Sequence, residues 1–282
     1  MSKLKVAEMF YSIQGEGRYM GVPSVFLRTF GCNFKCEGFG MPRGQASAER
    51  DSVAAKIELY KNYEDLPLVS TGCDSYASWD PRFKDLSPLL ETDAIVEYIM
   101  NILPYGEWRR EHLVITGGEP LLGWQRAYPD LLKHEDMAAL REITFETNGT
   151  QKLSAEFKDY LAQWGMTEPG REITFSVSAK LPGSGERWTE AIQPDIVCEY
   201  EQVGTAYLKF VVATDEDIVD AKNAINEYRA AGFTGEVYLM PVGGVESVYA
   251  LNNRRVAEEA MRHGLRYSDR LQVPLFKNAW GT

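Results

Sequence analysis

Short runs rich in β-branched and aromatic residues alternate along this chain with longer segments whose apolar positions recur at helical spacing. This alternation favours a parallel sheet covered by helices, because parallel strands are usually joined by helical crossovers. Strands are predicted at 23–30, 112–116, 142–147, 172–178, 206–212, 236–241 and 270–276. Helices are predicted at 92–103, 128–141, 154–165, 215–232 and 245–264. We therefore expect an α/β fold, an open or partial parallel α/β barrel of about six strands.

Residues of the right type stand at several ends of these helices. Hydroxyl residues suited to N-caps are Thr92, Ser154 and Thr214. Glycines suited to helix ends are Gly165, Gly232 and Gly264. The segment 37–72 interrupts the rhythm with glycine-rich and mixed-charge stretches, so we interpret it as a loop with one helical piece inserted after the first strand.

Composition narrows the class of protein. The chain has 282 residues, of which 44% are hydrophobic, and no apolar run reaches the roughly 20 residues that span a bilayer. We expect one domain, 1–282, in the cytoplasm and without a membrane partner. A formal net charge of −11 argues against a surface for direct nucleic-acid binding. Four cysteines are too few for a disulfide scaffold, and the three histidines lack ligand spacing, so any metal cluster must depend on cysteine.

Polar and glycine-rich residues follow the predicted strands. They are Gly31-Cys32-Asn33-Phe34-Lys35-Cys36, Gly117-Gly118-Glu119-Pro120, Asn148-Gly149-Thr150, Ser178-Ala179-Lys180 and Val242-Gly243-Gly244. The carboxyl ends of parallel strands meet at one edge of the sheet, so these loops should form one ligand site. The glycine pair lets a bound molecule approach the backbone, and Glu119 offers a carboxylate suited to an ammonium group. A plain turn closed by Pro120 is the alternative for this loop.

A first strand that ends in Cys-x3-Cys and a second that ends in GGEP resemble the radical S-adenosylmethionine (SAM) superfamily. The resemblance implies that three cysteines hold a [4Fe-4S] cluster whose fourth iron binds SAM. The superfamily's usual third cysteine would fall at Phe39, so this chain departs from the compact motif.

One family resembles far more of the chain, the 7-carboxy-7-deazaguanine synthases (QueE). The segments that carry this resemblance are "MFYSIQGEGRYMGVPSVFLRTFGC", "TGGEPLL", "FETNGT", "SVSAK", "LKFVV", "YLMPVGG" and "RLQVPLFKNAWGT". Cys73-Asp74-Ser75 is similar to the family's third cysteine with its following Asp and hydroxyl residue. The resemblance thus implies Cys32, Cys36 and Cys73 as cluster ligands, with 37–72 inserted between the second and the third.

The resemblance also implies a reaction. The cluster cleaves SAM, the resulting radical takes hydrogen from C6 of 6-carboxy-5,6,7,8-tetrahydropterin, and ring contraction with loss of ammonia yields 7-carboxy-7-deazaguanine for 7-deazapurine pathways such as queuosine biosynthesis. The enzyme would be a carbon-nitrogen lyase whose chemistry is supplied by cluster and SAM rather than by a catalytic side chain. It would need Mg²⁺, bound by Ser75, and a reductase or flavodoxin-type electron donor. A homodimer is compatible with the resemblance.

Two further residue sets follow from the resemblance. SAM would contact Gly118, Glu119, Asn148, Ser178, Ala179, Lys180, Met240, Pro241, Val242 and Gly243. The substrate would contact Ile13, Gln14, Gly15, Glu16, Arg28, Thr116 and Thr282. Gln and Glu can pair with the amide and amino groups of a pterin, and a guanidinium matches its carboxylate. Ala179 stands where the family commonly has proline, and "MPVGG" lacks the family's usual acidic residue, which weakens the SAM contacts assigned there.

Alternatives remain open at this point. "SIQGEG" could be a solvated hairpin turn, Arg28 half of a structural salt bridge, Ser75 a turn serine and Cys73 a structural thiol. Cys198, alone on an apolar segment, is interpreted as a core residue. At the level of function, the alternatives are a radical SAM activase that acts on a partner protein and a noncatalytic zinc- or pterin-binding relative.

Overall fold

A nine-stranded sheet forms the centre of the protein in this computed structural model, which describes residues 2–282. The strands are β1 (Lys3–Ile13), β2 (Pro23–Thr29), β3 (Leu89–Glu91), β4 (His112–Gly117), β5 (Glu142–Thr147), β6 (Glu172–Val177), β7 (Thr205–Val212), β8 (Val237–Pro241) and β9 (Arg266–Tyr267). Their order in the sheet is β3-β1-β2-β4-β5-β6-β7-β8-β9. The pairs from β2 to β9 are parallel, whereas β1 pairs antiparallel with β2 and β3. The expected open parallel α/β architecture is confirmed.

The helices lie mainly in the connections between parallel strands. They are α1 (Glu49–Ala54), α2 (Thr92–Ile102), α3 (Tyr128–Leu132), α4 (Ala155–Thr167), α5 (Trp188–Ala191), α6 (Pro194–Tyr200), α7 (Asp215–Ala230), α8 (Glu246–Arg262) and α9 (Gln272–Phe276). Two predicted caps are confirmed: Ser154 accepts a hydrogen bond from the amide of Phe157, and Thr214 forms a capping box with Asp217. No helix in the described part of the chain has the length and apolar character needed to cross a membrane.

Some predicted elements are wrong. Residues 270–276 contain the short helix α9 (Gln272–Phe276) rather than a strand: Pro274 lies in its first turn, where its missing N–H costs no helical hydrogen bond. The predicted helix 128–141 breaks after Leu132, because the ring of His134 accepts the amide of Asp136 and caps a separate turn.

Two helix ends also differ from the prediction. Thr92 is the first helical residue of α2 and Glu91 is its N-cap. Gly165 lies inside α4, which continues to Thr167. The other two predicted glycines do follow helices, with φ of 105° at Gly232 and 64° at Gly264.

The two faces of the sheet differ in character, and this difference positions the site. On β4 and β5, Leu113, Ile115, Ile143 and Phe145 belong to the main apolar core that also contains helix residues. Side chains alternate along a strand, so Thr116 and Glu146 point to the opposite, inner face. Arg28 and Thr116 are register partners on neighbouring strands. Polar residues therefore gather on the inner face near the carboxyl ends of the parallel strands.

The segment 37–72 contains one α-helix, α1, followed by short 3-10 turns. Its apolar residues pack in a second cluster with residues that follow Cys73, among them Tyr76 and Phe83. Trp280, near the end of the chain, packs edge-on against Tyr63 and Tyr76, with ring centroids 4.9 Å and 6.0 Å away. The segment thus has its own apolar contacts rather than lying loosely on the surface.

Candidate functional site

One cavity opens at the carboxyl ends of the parallel strands, where the loops after β2, β4, β5, β6 and β8 converge. Most of the residues predicted to bind cluster, SAM or substrate line it. They are Ile13, Gln14, Gly15, Glu16, Arg28, Cys32, Cys36, Cys73, Ser75, Thr116, Gly118, Asn148, Ser178, Lys180, Met240, Val242, Gly243 and Thr282. The structure does not bring Glu119, Ala179 or Pro241 to the cavity wall. Residues as far apart in sequence as Ile13 and Thr282 therefore share one space.

The three cysteines lie together at one end of this cavity, although Cys73 follows Cys36 by a long segment. Cys36 is buried, and Cys32 and Cys73 are partly buried against the same small apolar cluster. Burial raises the pKa of Cys32 to about 12 and that of Cys36 well above its ordinary value. Burial outweighs the opposing effect of the nearby Lys180 ammonium on both pKa values, so these thiols stay protonated, and their function as ligands requires metal to displace the protons.

We tested whether this arrangement fits an iron-sulfur cluster. Within residues 2–282, no three His, Cys, Asp or Glu side chains converge closely enough to hold a single metal ion. A [4Fe-4S] cluster makes a different demand, because each thiolate binds a different iron and the sulfurs stand farther apart than around one ion. Three cysteines on one cavity wall fit the cluster and do not fit a mononuclear site. Phe39 also packs beside them, at the position of the compact motif's third cysteine.

Gly117 and Gly118 bring the backbone after β4 against the cysteine loop. A Cβ on Gly118 would lie 2.4 Å from the carbonyl oxygen of Gly31 and 2.7 Å from the Cβ of Cys32. Gly117 has a φ of 151°, and its Cβ would lie 2.3 Å from the carbonyl oxygen of Thr29. Neither position accepts a side chain, so the glycine pair is required by close approach of two backbones as well as by access for a ligand.

Glu119 lies behind the cavity wall, and none of its side chain is exposed. Its carboxylate accepts hydrogen bonds from the amide of Asn148 at 2.6 Å, the amide of Leu121 at 3.0 Å and the hydroxyl of Thr147 at 2.8 Å. Burial outweighs these donors and raises the pKa of Glu119 to about 7. The residue therefore joins the loops after β4 and β5.

The predicted SAM residues divide into those that face the cavity and those that support it. The Nζ of Lys180 donates to the hydroxyl of Ser178 at 2.9 Å, and both line the cavity. The side-chain amide of Asn148 donates to the side-chain oxygen of Asn33, within the cysteine loop, at 2.9 Å. Ala179 is buried between its two cavity-lining neighbours. Alternating exposure of this kind is what extended backbone after a strand produces.

The turn that contains Gln14 and Glu16 is buried against the cavity, not solvated. Glu16 accepts hydrogen bonds from Lys209 at 2.5 Å, Arg270 at 3.1 Å and Gln272 at 2.9 Å. Burial alone would raise its pKa, but the two cations hold the pKa of Glu16 well below the ordinary value. Glu16 is therefore ionised.

Glu146 joins this turn to the strands. Its carboxylate accepts one hydrogen bond from the amide of Gln14 at 3.1 Å and another from the hydroxyl of Thr116 at 3.0 Å. The side-chain carbonyl of Gln14 also accepts a hydrogen bond from the backbone amide of Glu16 at 2.9 Å, so the orientation of the Gln14 side chain is fixed. The cavity thus presents a chain of oriented acceptors along one edge.

Arg28 does form a salt bridge, with 2.6 Å between its Nε and the Glu8 carboxylate, and it still lines the cavity. Its Nη1 lies 3.3 Å from the hydroxyl of Ser75, and that hydroxyl lies 3.4 Å from the Asp74 carboxylate. Glu8 also accepts the amide of Gly281 at 3.2 Å. The salt bridge orients the guanidinium beside Ser75 and the chain's carboxyl end.

Several residues of the site were given no role from the sequence, although all but Glu8 lie in segments that carry the family resemblance. They are Glu8, Asp74, Glu146, Lys209, Arg270 and Gln272, all of which line the cavity. Lys209, in the otherwise apolar "LKFVV" run, is the one that sequence reasoning could have found, since an unpaired charge on a central strand is expensive. Cys198 lies outside the site, partly buried against the main core as expected.

The chain is similar over nearly its whole length to 7-carboxy-7-deazaguanine synthases. It is 29% identical to that of Halobacterium salinarum over 295 residues, which cover 98% of this chain and 91% of the relative. Identity to that of Pyrobaculum aerophilum is 26%, over 99% of this chain and 97% of the relative. The Burkholderia multivorans synthase is 34% identical over 145 residues, 51% of this chain and 55% of the relative. No family model matches.

The fold is also similar to a solved structure. The crystal structure of QueE from Escherichia coli aligns with a TM-score of 0.53 at 20% sequence identity, over 94% of this chain and 93% of that chain. The resemblance noted from the sequence is confirmed by the relatives, and the structural likeness supports the fold.

Proposed function

We propose that this chain, a member of the 7-carboxy-7-deazaguanine synthase family of radical SAM enzymes, converts 6-carboxy-5,6,7,8-tetrahydropterin to 7-carboxy-7-deazaguanine with loss of ammonia. The observation that carries the proposal is the convergence of Cys32, Cys36 and Cys73 on one cavity with the polar edge formed by Gln14, Glu146 and their partners. A cysteine triad alone would serve any radical SAM protein. An enclosed polar edge beside it supports a small, hydrogen-bonding substrate over a partner protein.

The protein's own part is binding, orientation and exclusion of water. Cys32, Cys36 and Cys73 would hold the cluster, and Gly118, whose backbone packs directly against Cys32 and lines the cavity, would present that backbone to SAM. When bound, cluster and SAM supply the radical that takes hydrogen from the substrate. Because much of the cavity lining is buried, a bound substrate would be shielded from solvent on that side.

The polar edge supports recognition of a pterin. Glu146 offers carboxylate acceptors for ring N–H and amino groups, and Gln14 is oriented beside it. Arg28 would face the substrate carboxylate, its direction set by Glu8. A carboxylate has about four acceptor sites. Glu146 uses two of them on protein donors and Glu16 uses three, so Glu16 would fix the turn and have one site left for the substrate.

We further propose that Ser75 ligates Mg²⁺ beside the substrate carboxylate. Mg²⁺ keeps waters and substrate oxygens and needs few protein ligands, which fits a single hydroxyl near the Asp74 carboxylate. The Ser75→Ala variant should keep its iron and its SAM binding but lose the stimulation of turnover by Mg²⁺. Equal Mg²⁺ stimulation of variant and parent would exclude Ser75 as the ligand.

This chemistry would use a reductase or flavodoxin-type protein as its electron donor. The reaction would take place in the cytoplasm, where thiols stay reduced. A homodimer would be compatible with the site.

The direct test is anaerobic reconstitution with iron and sulfide, followed by turnover of carboxytetrahydropterin measured by mass spectrometry. Matched variants are Cys73→Ala and Cys198→Ala, since both remove a partly buried thiol and only the first lies at the cavity. We expect Cys198→Ala to keep cluster and product, and Cys73→Ala to lose both. If Cys73→Ala retains the parent's full iron and sulfide content, Cys73 is not the third ligand.

The same preparation separates the rival functions. Iron and SAM cleavage without turnover of the pterin would favour an activase that acts on a protein. Zinc in place of iron, with no charge-transfer absorption after reconstitution, would favour a noncatalytic relative.

A further inference from the structure

The loop between Cys32 and Cys36 is bound by a carboxylate from a distant part of the chain. The backbone amides of Lys35 and Cys36 both donate to the same oxygen of Glu186, at 2.8 Å and 2.7 Å. Cys36 has a φ of 51°, in the left-handed region that non-glycine residues seldom adopt. Successive amides around a left-handed residue form a concavity that binds anions, and here the anion is a side chain of the protein.

Glu186 is itself held in place. Its amide donates to the hydroxyl of Ser184 at 3.2 Å, and Ser184 is fully buried. The carbonyl oxygen of Ser184 accepts the amide of Gly38 at 2.8 Å. A Cβ on Gly38 would lie 2.6 Å from the amide nitrogen of Gly185, so the two backbones are in direct contact. The carboxylate therefore reaches the cysteine loop from a segment that is packed against the loop's own continuation.

The hydrogen bonds from the cysteine loop to Glu186 lie where this chain departs from the compact cysteine motif. In a compact Cys-x3-Cys-x2-Cys motif, the third ligand follows at once and anchors the loop on the cluster. Here the chain leaves Cys36 for a long segment, and Phe39 occupies the position of that ligand. The left-handed conformation at Cys36 needs another source of stabilisation, and Glu186 supplies it through hydrogen bonds to the amide of Cys36 and to that of the preceding Lys35.

We propose that Glu186 is a positioning residue for the iron-sulfur cluster: it fixes the backbone of Cys36 through two amides and places a negative charge beside the cluster. The inference rests on the proposed function only in that the three cysteines hold a cluster. Two measurable consequences follow. Loss of the hydrogen bonds should loosen the cluster, and loss of the charge should move its reduction potential to more positive values, since a nearby negative charge opposes addition of an electron.

The variants Glu186→Gln and Glu186→Ala separate these two effects. Glutamine keeps an oxygen that can accept both amides but removes the charge, whereas alanine removes both. Glu190→Gln is the matched control: Glu190 lies four residues along, pairs with Arg187 and is half exposed. The readouts are iron loss to a chelator and the midpoint potential of the cluster by electron paramagnetic resonance, neither of which requires substrate.

We expect Glu186→Gln to keep its iron and show a more positive potential than the parent. Glu186→Ala should lose iron about 10-fold faster than the parent, the lower end of the effect of groups that support metal ligands. Glu190→Gln should match the parent in both measurements. If Glu186→Ala does not fold, the test rests on whether the midpoint potential of Glu186→Gln differs from that of the parent.

The inference is overturned if Glu186→Gln has the parent's potential and Glu186→Ala, where it folds, has the parent's rate of iron loss. That result is distinct from failure of the proposed function, in which the parent itself would assemble no cluster or would not turn over the pterin.

Discussion

Arg270 offers the sharpest test of the site's architecture, because its guanidinium joins three separate segments. Nε donates to Glu16 at 3.1 Å, Nη1 to the carbonyl oxygen of Gly243 at 2.5 Å, and Nη2 to Asp74 at 2.5 Å. The side chain is 10% exposed. The substrate turn, the loop after β8 and the segment of the third cysteine are thus held by one residue.

The expected loss in free energy of unfolding on substitution of Arg270 follows from these contacts. A lysine keeps the charge but has no planar fork, so Arg270→Lys should lose two of the three hydrogen bonds, about 3 kcal/mol for bonds to charged or buried groups. Arg270→Gln also leaves Asp74 without its partner, and we expect it to cost about 4 kcal/mol, as for other broken buried pairs. Asp74 is 34% exposed, so water partly replaces its partner and limits the loss.

The assay is urea unfolding of the cluster-free protein under reducing conditions, with the free energy of unfolding extrapolated to water. The matched control is Arg254→Gln, whose side chain is 89% exposed and pairs with Glu258 four residues along the same helix. Arg254→Gln should lower the free energy of unfolding by less than about 0.5 kcal/mol. A loss under about 1 kcal/mol for Arg270→Gln would refute the reasoning, because the guanidinium is 10% exposed and both Glu16 and Asp74 lose it as a charged donor, even though water partly replaces it at Asp74.

Two further predictions use the same preparations. Gly118→Ala should assemble less cluster and bind SAM more weakly, because its Cβ would clash with Gly31 and Cys32. In the control Gly165→Ala the new Cβ makes only ordinary contact, so this variant should match the parent in iron content. Equal iron content and SAM binding in the two variants would contradict this account. Burial lowers the pKa of His112 to about 3, so stability should fall as pH drops from about 6.5 towards 3, by up to about 5 kcal/mol in total. The sign follows because the unfolded imidazole takes up a proton that the folded one excludes. The His112→Asn variant should lack this loss of stability at low pH. If variant and parent lose the same free energy of unfolding between pH 6.5 and pH 3, His112 does not contribute.

The site was predictable from sequence where short motifs carry it. Cys32, Cys36, Gly118 and Asn148 follow strands that their composition identifies, and parallel strands bring their carboxyl ends to one edge. The family resemblance added Cys73, which no spacing rule could connect to the first two cysteines. Predicted elements were wrong where local contacts override periodicity, as at Pro274 and His134.

Residue patterning along the chain was enough to predict the alternation of strands and helices, and with it the edge at which the ligand loops meet. It could not predict which charges are partnered in the folded chain: Glu16 pairs with Lys209 and Arg270, and Glu186 accepts the amides of the cysteine loop. Hydrophobic periodicity is a local property, readable within one element. Partnership of buried charges depends on distance in space, between residues that lie from 150 to 254 positions apart in sequence.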